Sequence, residues 1–168
     1  MRAQHRFHGD PRRFEATATL VGERFYGKAR YAADVAGGQG MLARLLRKRY
    51  GIECDVIDPR GWTMKGVTSR QETYSAELAD FYDLVIGLHP DQAIREVARS
   101  ALVRPVIIVP CCNFWSEEDK FGRAALLDAI KSYYHSHDVR YEQVVIDFKG
   151  PYNIGLVSEP PRGALLCR

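Results

Sequence analysis

The 168-residue chain reads as a doubly wound α/β domain, with a mostly parallel sheet and an antiparallel C-terminal edge strand. Three observations predict this. Short apolar segments alternate with helical stripes along most of the chain, the pattern of a parallel sheet covered on both faces. A glycine-rich turn, Gly37-Gly38-Gln39-Gly40, separates the first apolar segment from the helical stripe that follows it. Two strand-like runs close the sequence, joined through Gly150-Pro151 with no helix between them. The length suits one domain over residues 1–168, with a basic N-terminal arm and helix over residues 1–30.

The elements follow in order. Asp10 ahead of Pro11 is a helix start, a capping carboxylate followed by proline at the first helical position. Phe14, Ala18, Val21 and Phe25 then recur at steps of four, three and four, and Gly27 suits the stop. Tyr31-Ala32-Ala33-Asp34-Val35 is the first strand. Past the glycines, Met41, Leu42, Leu45 and Leu46 form a second helical stripe, with Arg44, Arg47, Lys48 and Arg49 largely off it. Residues 54–58 make a second strand, closed by Pro59. A short strand over residues 64–67 and a helix over residues 74–81 are expected next. Leu84-Val85-Ile86-Gly87-Leu88 is a buried strand, Ala93, Ile94, Val97, Ala98 and Ala101 a helix face, and Val106-Ile107-Ile108-Val109 another buried strand. Leu126, Leu127, Ile130 and Tyr134 mark a further helix, and residues 141–148 and 154–157 the last two strands.

Composition excludes several classes. Apolar residues make up 46% and charged residues 27%, which argues against bulk disorder or a fibrous fold. The longest uncharged apolar run lies around Val106 to Val109, far short of the ~20 residues a membrane helix needs. Arg2, Arg6, Arg12 and Arg13 precede no apolar core, so no secretory signal is expected. Cys54, Cys111, Cys112 and Cys167 form neither a disulfide framework nor the paired C-x-x-C spacing of a zinc site. Reduced thiols in a cytoplasmic protein are the expectation, with no metal and no membrane partner. The net charge of +3 is unevenly spread. Residues 1–30 hold seven Lys and Arg against three Asp and Glu, a net of +4, while the remainder carries a net of −1.

In an open parallel sheet a ligand sits beyond the carboxyl ends of the strands, where the strand order switches. That places residues 34–40, 58–62, 87–91 and 110–115 around one crevice. Gly38-Gln39-Gly40-Met41-Leu42-Ala43 matches G-x-G-x-x-A, with Asp58 18 residues after Gly40, which supports a dinucleotide site. Asp34 points elsewhere. A carboxylate just ahead of the glycines repels a pyrophosphate and attracts an ammonium or sulfonium. Asp58 can accept two ribose hydroxyls. A cationic amino-acid end joined to a ribose describes S-adenosylmethionine.

On these residues the chain resembles the class I S-adenosylmethionine-dependent methyltransferases. Asp34-Val35-Ala36-Gly37-Gly38-Gln39-Gly40 is similar to their first motif, D-x-G-x-G-x-G, with Ala36 in place of the first glycine. Asp58 matches their ribose-binding acid, and the resemblance runs from about residue 30 to residue 158. It implies a Rossmann-like methyltransferase fold and a donor site formed by Asp34, Ala36, Gly38, Gln39, Gly40, Asp58 and Pro59. Gly38 and Gly40 would approach the methionine portion, and Pro59 or Arg60 would flank the adenosine. The family's adenine-contacting acid has no clear match, Glu72 being the nearest guess.

The acceptor end falls at the next two strand ends. In Gly87-Leu88-His89-Pro90-Asp91, His89 is a candidate general base, and Asp91 equally suits the cap of the next helix. In Pro110-Cys111-Cys112-Asn113-Phe114-Trp115, Cys111 and Asn113 are candidate acceptor-orienting residues. A cysteine thiolate there could add to a pyrimidine ring, but packing is the simpler role for these thiols. Adjacent cysteines project differently from a backbone, which weighs against metal binding by the pair with His89. The strand-end Pro-Cys-Cys resembles that of some tRNA ribose 2′-O-methyltransferases. With Phe114 and Trp115 able to stack on bases and a basic arm for phosphates, the expected partner is RNA, tRNA preferred, and not DNA; the arm equally suits a helix that closes over the cofactor. The rival readings are an NAD-dependent oxidoreductase of Rossmann type and a non-catalytic cofactor-binding module. Oligomeric state is not legible.

Overall fold

The computed structural model describes residues 9–164. The helix α1 (Arg12–Phe25) is followed by β1 (Tyr31–Val35), α2 (Met41–Tyr50), β2 (Glu53–Ile57) and β3 (Ser69–Arg70). A 3-10 turn over Ala76–Phe81 leads to β4 (Leu84–Leu88), then α3 (Ile94–Ser100) and β5 (Val106–Val109). The helix α4 (Arg123–Ser136) and the hairpin β6 (Arg140–Val145) and β7 (Ile154–Glu159) complete the chain. Arg2, Arg6 and Cys167 lie outside the described residues.

One seven-stranded sheet has the order β3-β2-β1-β4-β5-β7-β6. The strands β1 to β5 run parallel, and β7 is antiparallel to both neighbours. The expected antiparallel pair is at the edge of the sheet, with β7 tucked between β5 and β6. The order reverses at β1, whose neighbours are β2 on one side and β4 on the other. Loops leaving the carboxyl ends of these two strands therefore diverge and open a crevice.

Alternation along the strands divides the core into two faces. Ala32, Val56, Ile86 and Val109 pack under Phe14, Ala18, Val21 and Phe25 of α1 and Leu42 and Leu46 of α2. Ala33, Val35, Val85 and Ile108 pack under Ile94, Val97 and Ala98 of α3 and Leu126, Ile130 and Tyr134 of α4. Among the described residues no helix is long and apolar enough to cross a membrane.

Three local expectations shift. The strand expected over residues 64–67 is instead the two-residue β3, paired through Val56↔Ser69 and Ile57↔Arg70. Met64 donates its N–H to the Gln39 carbonyl at 2.9 Å, so this stretch is laced to the glycine turn and not to the sheet. The helix over residues 74–81 is a short 3-10 turn, started by Ser75 accepting from the Glu77 N–H. At α1, Pro11 takes the N-cap position, while Asp10 Oδ1 accepts the Arg12 N–H at 3.0 Å and Oδ2 accepts the Lys149 N–H at 2.8 Å.

Candidate active site

The glycine turn begins with Asp34, buried inside β1 at 2% exposure. Ala36 has a φ of 55°, in the left-handed region, and its N–H is fixed to the Ile57 carbonyl at 2.9 Å. The position where the family motif has its first glycine is thus one whose geometry favours glycine, and alanine tolerates it at a cost of about 1–2 kcal/mol. A Cβ on Gly37 would lie 2.4 Å from the carboxyl carbon of Asp34, so only a bare backbone passes the carboxylate at this distance. Gly40, with φ 81°, is the N-cap of α2. A Cβ there would lie 2.7 Å from Val67, 3.0 Å from Val56 and 3.3 Å from Thr63, so the glycine shapes the turn from behind.

A cavity of about 310 Å³ opens in front of the turn, lined by Asp34, Ala36, Gly38, Gln39, His89 and Cys111 together with Arg13, Phe14 and Trp62. A second, of about 490 Å³, lies alongside, lined by Pro59, Thr73, Tyr74, Gln92, Cys112 and Phe114. The two share Ala36, Arg60 and Asp91. Of the donor-site residues expected from the sequence, Asp34, Ala36, Gly38 and Gln39 meet in the first cavity and Pro59 borders the second. Glu72 lines neither and instead pairs with Arg70 at 3.4 Å.

The charges in the crevice are sharply differentiated. Burial, reinforced by the neighbouring Asp58 charge, pushes the Asp34 carboxyl up to about 7, against the pull of the Ala43 backbone N–H. Asp34 Oδ2 and Gln39 Oε1 are both buried acceptors with no hydrogen-bond partner. Asp58 is the opposite case. Burial disfavours its charge, but hydrogen bonds from the Arg60 side chain, the Arg60 backbone and the Gly38 backbone outweigh it and hold the carboxyl below its usual value. Oδ1 accepts the Arg60 N–H and Nε–H at 2.9 Å each, and Oδ2 accepts Arg60 Nη2 at 2.7 Å and the Gly38 N–H at 2.9 Å.

Just past the end of β4, His89 has a φ of 58° and its N–H bonds the Val109 carbonyl at 2.9 Å. Its Nε2 lies 2.9 Å from the Tyr152 carbonyl. A carbonyl only accepts, so Nε2 carries the proton and Nδ1 holds the lone pair. Burial lowers the imidazole's affinity for a proton, and Arg13 adds to this, while the Tyr152 carbonyl and Asp91 act in the other direction. Cys111 Sγ is 3.5 Å from Asp91 Oδ1 and 3.4 Å from Cys112 Sγ. Burial pushes its thiol up, and the hydrogen bond and charge of Cys112 push it further, so by itself it is no thiolate nucleophile at neutral pH. Asn113 lines neither cavity; its Nδ2 donates to the Asp119 carbonyl at 2.6 Å and ties down the loop after β5.

Arg13 and Phe14 line the cavity, which agrees with the N-terminal helix as a cover over it, although the sequence did not single out these two residues. Their placement depends on α1 crossing the sheet end, a contact between distant parts of the chain that local spacing does not reveal. Trp62 was within one of the loops assigned to the crevice, but nothing in its spacing distinguished it.

No protein-family model matches the chain, and no curated protein sequence matches it. Solved structures do. A SAM-dependent methyltransferase from Archaeoglobus fulgidus superposes with a TM-score of 0.54 at 13% identity, over 86% of this chain and 93% of that one. The ribosomal protein L11 methylase of Lactobacillus delbrueckii subsp. bulgaricus superposes with a TM-score of 0.53 at 18% identity, over 88% of this chain and 79% of the other. Human N-acetylserotonin methyltransferase in complex with SAM gives a TM-score of 0.51 at 13% identity, over 89% of this chain. This chain has the class I methyltransferase fold. It spans about half of the human enzyme, 51%, and almost all of the archaeal one. At such identities the likeness carries the fold alone. Within the methyltransferase fold, the switch between β1 and β4 is where the cavity of Asp34, Gly38 and His89 opens.

Proposed function

We propose that the chain is an S-adenosylmethionine-dependent methyltransferase of the cytoplasm that acts on RNA, with tRNA the first substrate to test. The observation that carries the donor assignment is the buried, unpartnered Oδ2 of Asp34 at the cavity wall. A buried acceptor left unmade costs about 1–3 kcal/mol until a donor reaches it. The ammonium of a methionine portion is such a donor, and Gln39 Oε1 offers it a second acceptor. A pyrophosphate entering the same turn meets the carboxylates of Asp34 and Asp58, which argues against a dinucleotide.

The bound donor supplies a methyl group already activated by a sulfonium, so the protein's part is chiefly positioning. Gly37 and Gly38 let the backbone come close, and Asp34 fixes the amino-acid end. Asp58 accepts the ribose hydroxyls once the Arg60 side chain turns away. Pro59, Tyr74 and Phe114 offer the adenosine an apolar wall in the second cavity. His89, its ring held through Nε2, takes the acceptor's proton at Nδ1. Cys111 bounds the acceptor's place, and Asn113 acts at one remove by holding the loop that carries the cysteines.

RNA is favoured by the exposed rings around the crevice, Trp62 at 66%, Phe114 at 45% and Tyr152 at 41% exposure, which suit base stacking. The net +4 over residues 1–30 suits phosphates.

Calorimetry with S-adenosylmethionine, S-adenosylhomocysteine and NAD tests the donor. Binding of NAD without either adenosyl compound overturns the reading in favour of an oxidoreductase. Incubation of unmodified tRNA, rRNA and a small-molecule panel with labelled donor tests the acceptor; label confined to small molecules overturns the RNA assignment. Removal of residues 2–8 should lower RNA affinity and flatten its salt dependence while donor binding holds.

A further inference from the structure

The turn after β5 does something the sequence did not suggest: it brings the side chains of two successive cysteines to the same side. Cys111 Sγ and Cys112 Sγ are 3.4 Å apart, and Cys111 Sγ is 3.5 Å from Asp91 Oδ1. All three donor atoms lie within 4.8 Å of one another. A tetrahedral zinc ion, with Zn–S of about 2.3 Å and Zn–O of about 2.0–2.2 Å, separates its donors by roughly 3.5–3.8 Å. Two of the three edges of the ligand triangle are therefore already close to the required length.

We propose that Asp91, Cys111 and Cys112 form a binding site for a thiophilic divalent cation of the zinc class. Two sulfurs with one carboxylate oxygen are a donor set that selects zinc over magnesium or calcium. Backbone strain supports the arrangement from the opposite wall. Asp91 has a φ of 47°, a left-handed conformation rare for a non-glycine residue, and it aims the carboxylate at the β5 loop from the end of β4. The position is also distinctive. Asp91 and Cys111 line the first cavity, and Asp91 and Cys112 line the second, so the ion occupies the partition between them. Cys112 is exposed, which gives the ion an entry path. Three protein ligands leave a fourth position for water or for an oxygen of a bound substrate, the pattern of catalytic rather than structural zinc. Ion binding displaces the thiol protons and forms two sulfur–metal bonds and one oxygen–metal bond, with no change of oxidation state.

The site stands independently of the methyl-donor reading, because its test contains no donor. Full-length protein, reduced with a phosphine and stripped with a chelator, is titrated with cobalt(II) and then with zinc. The expected result is saturation near one equivalent, visible absorption of tetrahedral cobalt with a sulfur-to-metal charge-transfer band, and bleaching by zinc. Cys112→Ser, at an exposed position where the fold has little to lose, and Asp91→Asn should each weaken binding by about tenfold or more. Cys167→Ser should leave it unchanged. Absence of the charge-transfer band in the unsubstituted protein overturns the proposal, as does an affinity in Cys112→Ser and Asp91→Asn equal to that of the unsubstituted protein. A pair of thiols that titrates as an intramolecular disulfide even after reduction overturns it too.

Discussion

Arg60 occupies three of the four acceptor positions that the Asp58 carboxylate offers, and the Gly38 N–H takes the fourth. The acid expected to receive a ribose is thus fully hydrogen-bonded by its own loop and the glycine turn. Binding a ribose means exchanging two guanidinium contacts for two hydroxyls, so the loop competes with the ligand.

Arg60→Ala removes that competition. Affinity for S-adenosylhomocysteine should rise, by up to about tenfold, the order of one charge-assisted hydrogen bond. The same change should lower the melting temperature by about 2–4 °C, since Asp58 is 2% exposed and loses its partner. Calorimetry that shows a tenfold loss of affinity instead makes Arg60 a ligand-binding residue.

Under the proposed function, Asp34 would link donor binding to pH. Its carboxyl is raised to about 7 in the folded protein from an ordinary value of 3.8, chiefly by burial. The folded state therefore binds more protons than the unfolded state between these values, and stability declines as pH rises through this window. Above pH 7 the carboxylate is charged, the fold carries the full penalty, and the ammonium of the donor finds its partner. Asp34→Asn should raise the melting temperature at pH 8 and leave it nearly unchanged at pH 4. It should weaken donor binding at pH 8 by tenfold or more. Melting curves at the two pH values, with calorimetry at the higher, check both signs.

His89 should govern the acid limb of the rate profile. Burial depresses its proton affinity below the ordinary 6.5, so the imidazole is neutral at pH 7 and the rate should fall only on acidification below that value. His89→Ala should cut kcat by about 10²–10⁴ with donor affinity unchanged. Full activity in His89→Ala removes it from the mechanism.

Two neighbouring substitutions in the glycine turn should act in opposite directions. Gly37→Ala drives a methyl into the Asp34 carboxylate and should cost about 1–3 kcal/mol together with donor binding. Ala36→Gly relieves a left-handed alanine at φ 55° and should be neutral to stabilising by about 1 kcal/mol with donor binding retained. Thermal melts of the pair decide it.

Much of the fold was legible because its signals are local. Val106 to Val109 and Leu84 to Leu88 are uninterrupted apolar runs, and α1 repeats its buried residues at helical spacing. The two-residue β3 was displaced because a strand that short has no period to read, and only its pairing with Val56 and Ile57 defines it. The meeting of Asp34, Ala36, Gly38 and Gln39 in one cavity was legible from the motif, since the strand and the turn fix one another over a short stretch of chain. The placement of the side chains after β4 and β5 was not. Side chains on the loop after β5 point where the turn sends them: Asn113 away toward Asp119, and Cys111 and Cys112 together. Phe14 reaches the cavity from another part of the sequence altogether.

The segment between β6 and β7 holds the start of α1 through the Lys149 N–H and Asp10, and holds the His89 ring through the Tyr152 carbonyl. Only Gly150 and Pro151 separate those two attachments. The helix that walls the cavity and the group assigned to the proton therefore hang from a single bracket. Under the proposed mechanism, a displacement of α1 wide enough to admit a large acceptor would pull on the support of the imidazole, coupling entry to proton transfer and making a rigid hairpin as much a requirement of that chemistry as the histidine itself.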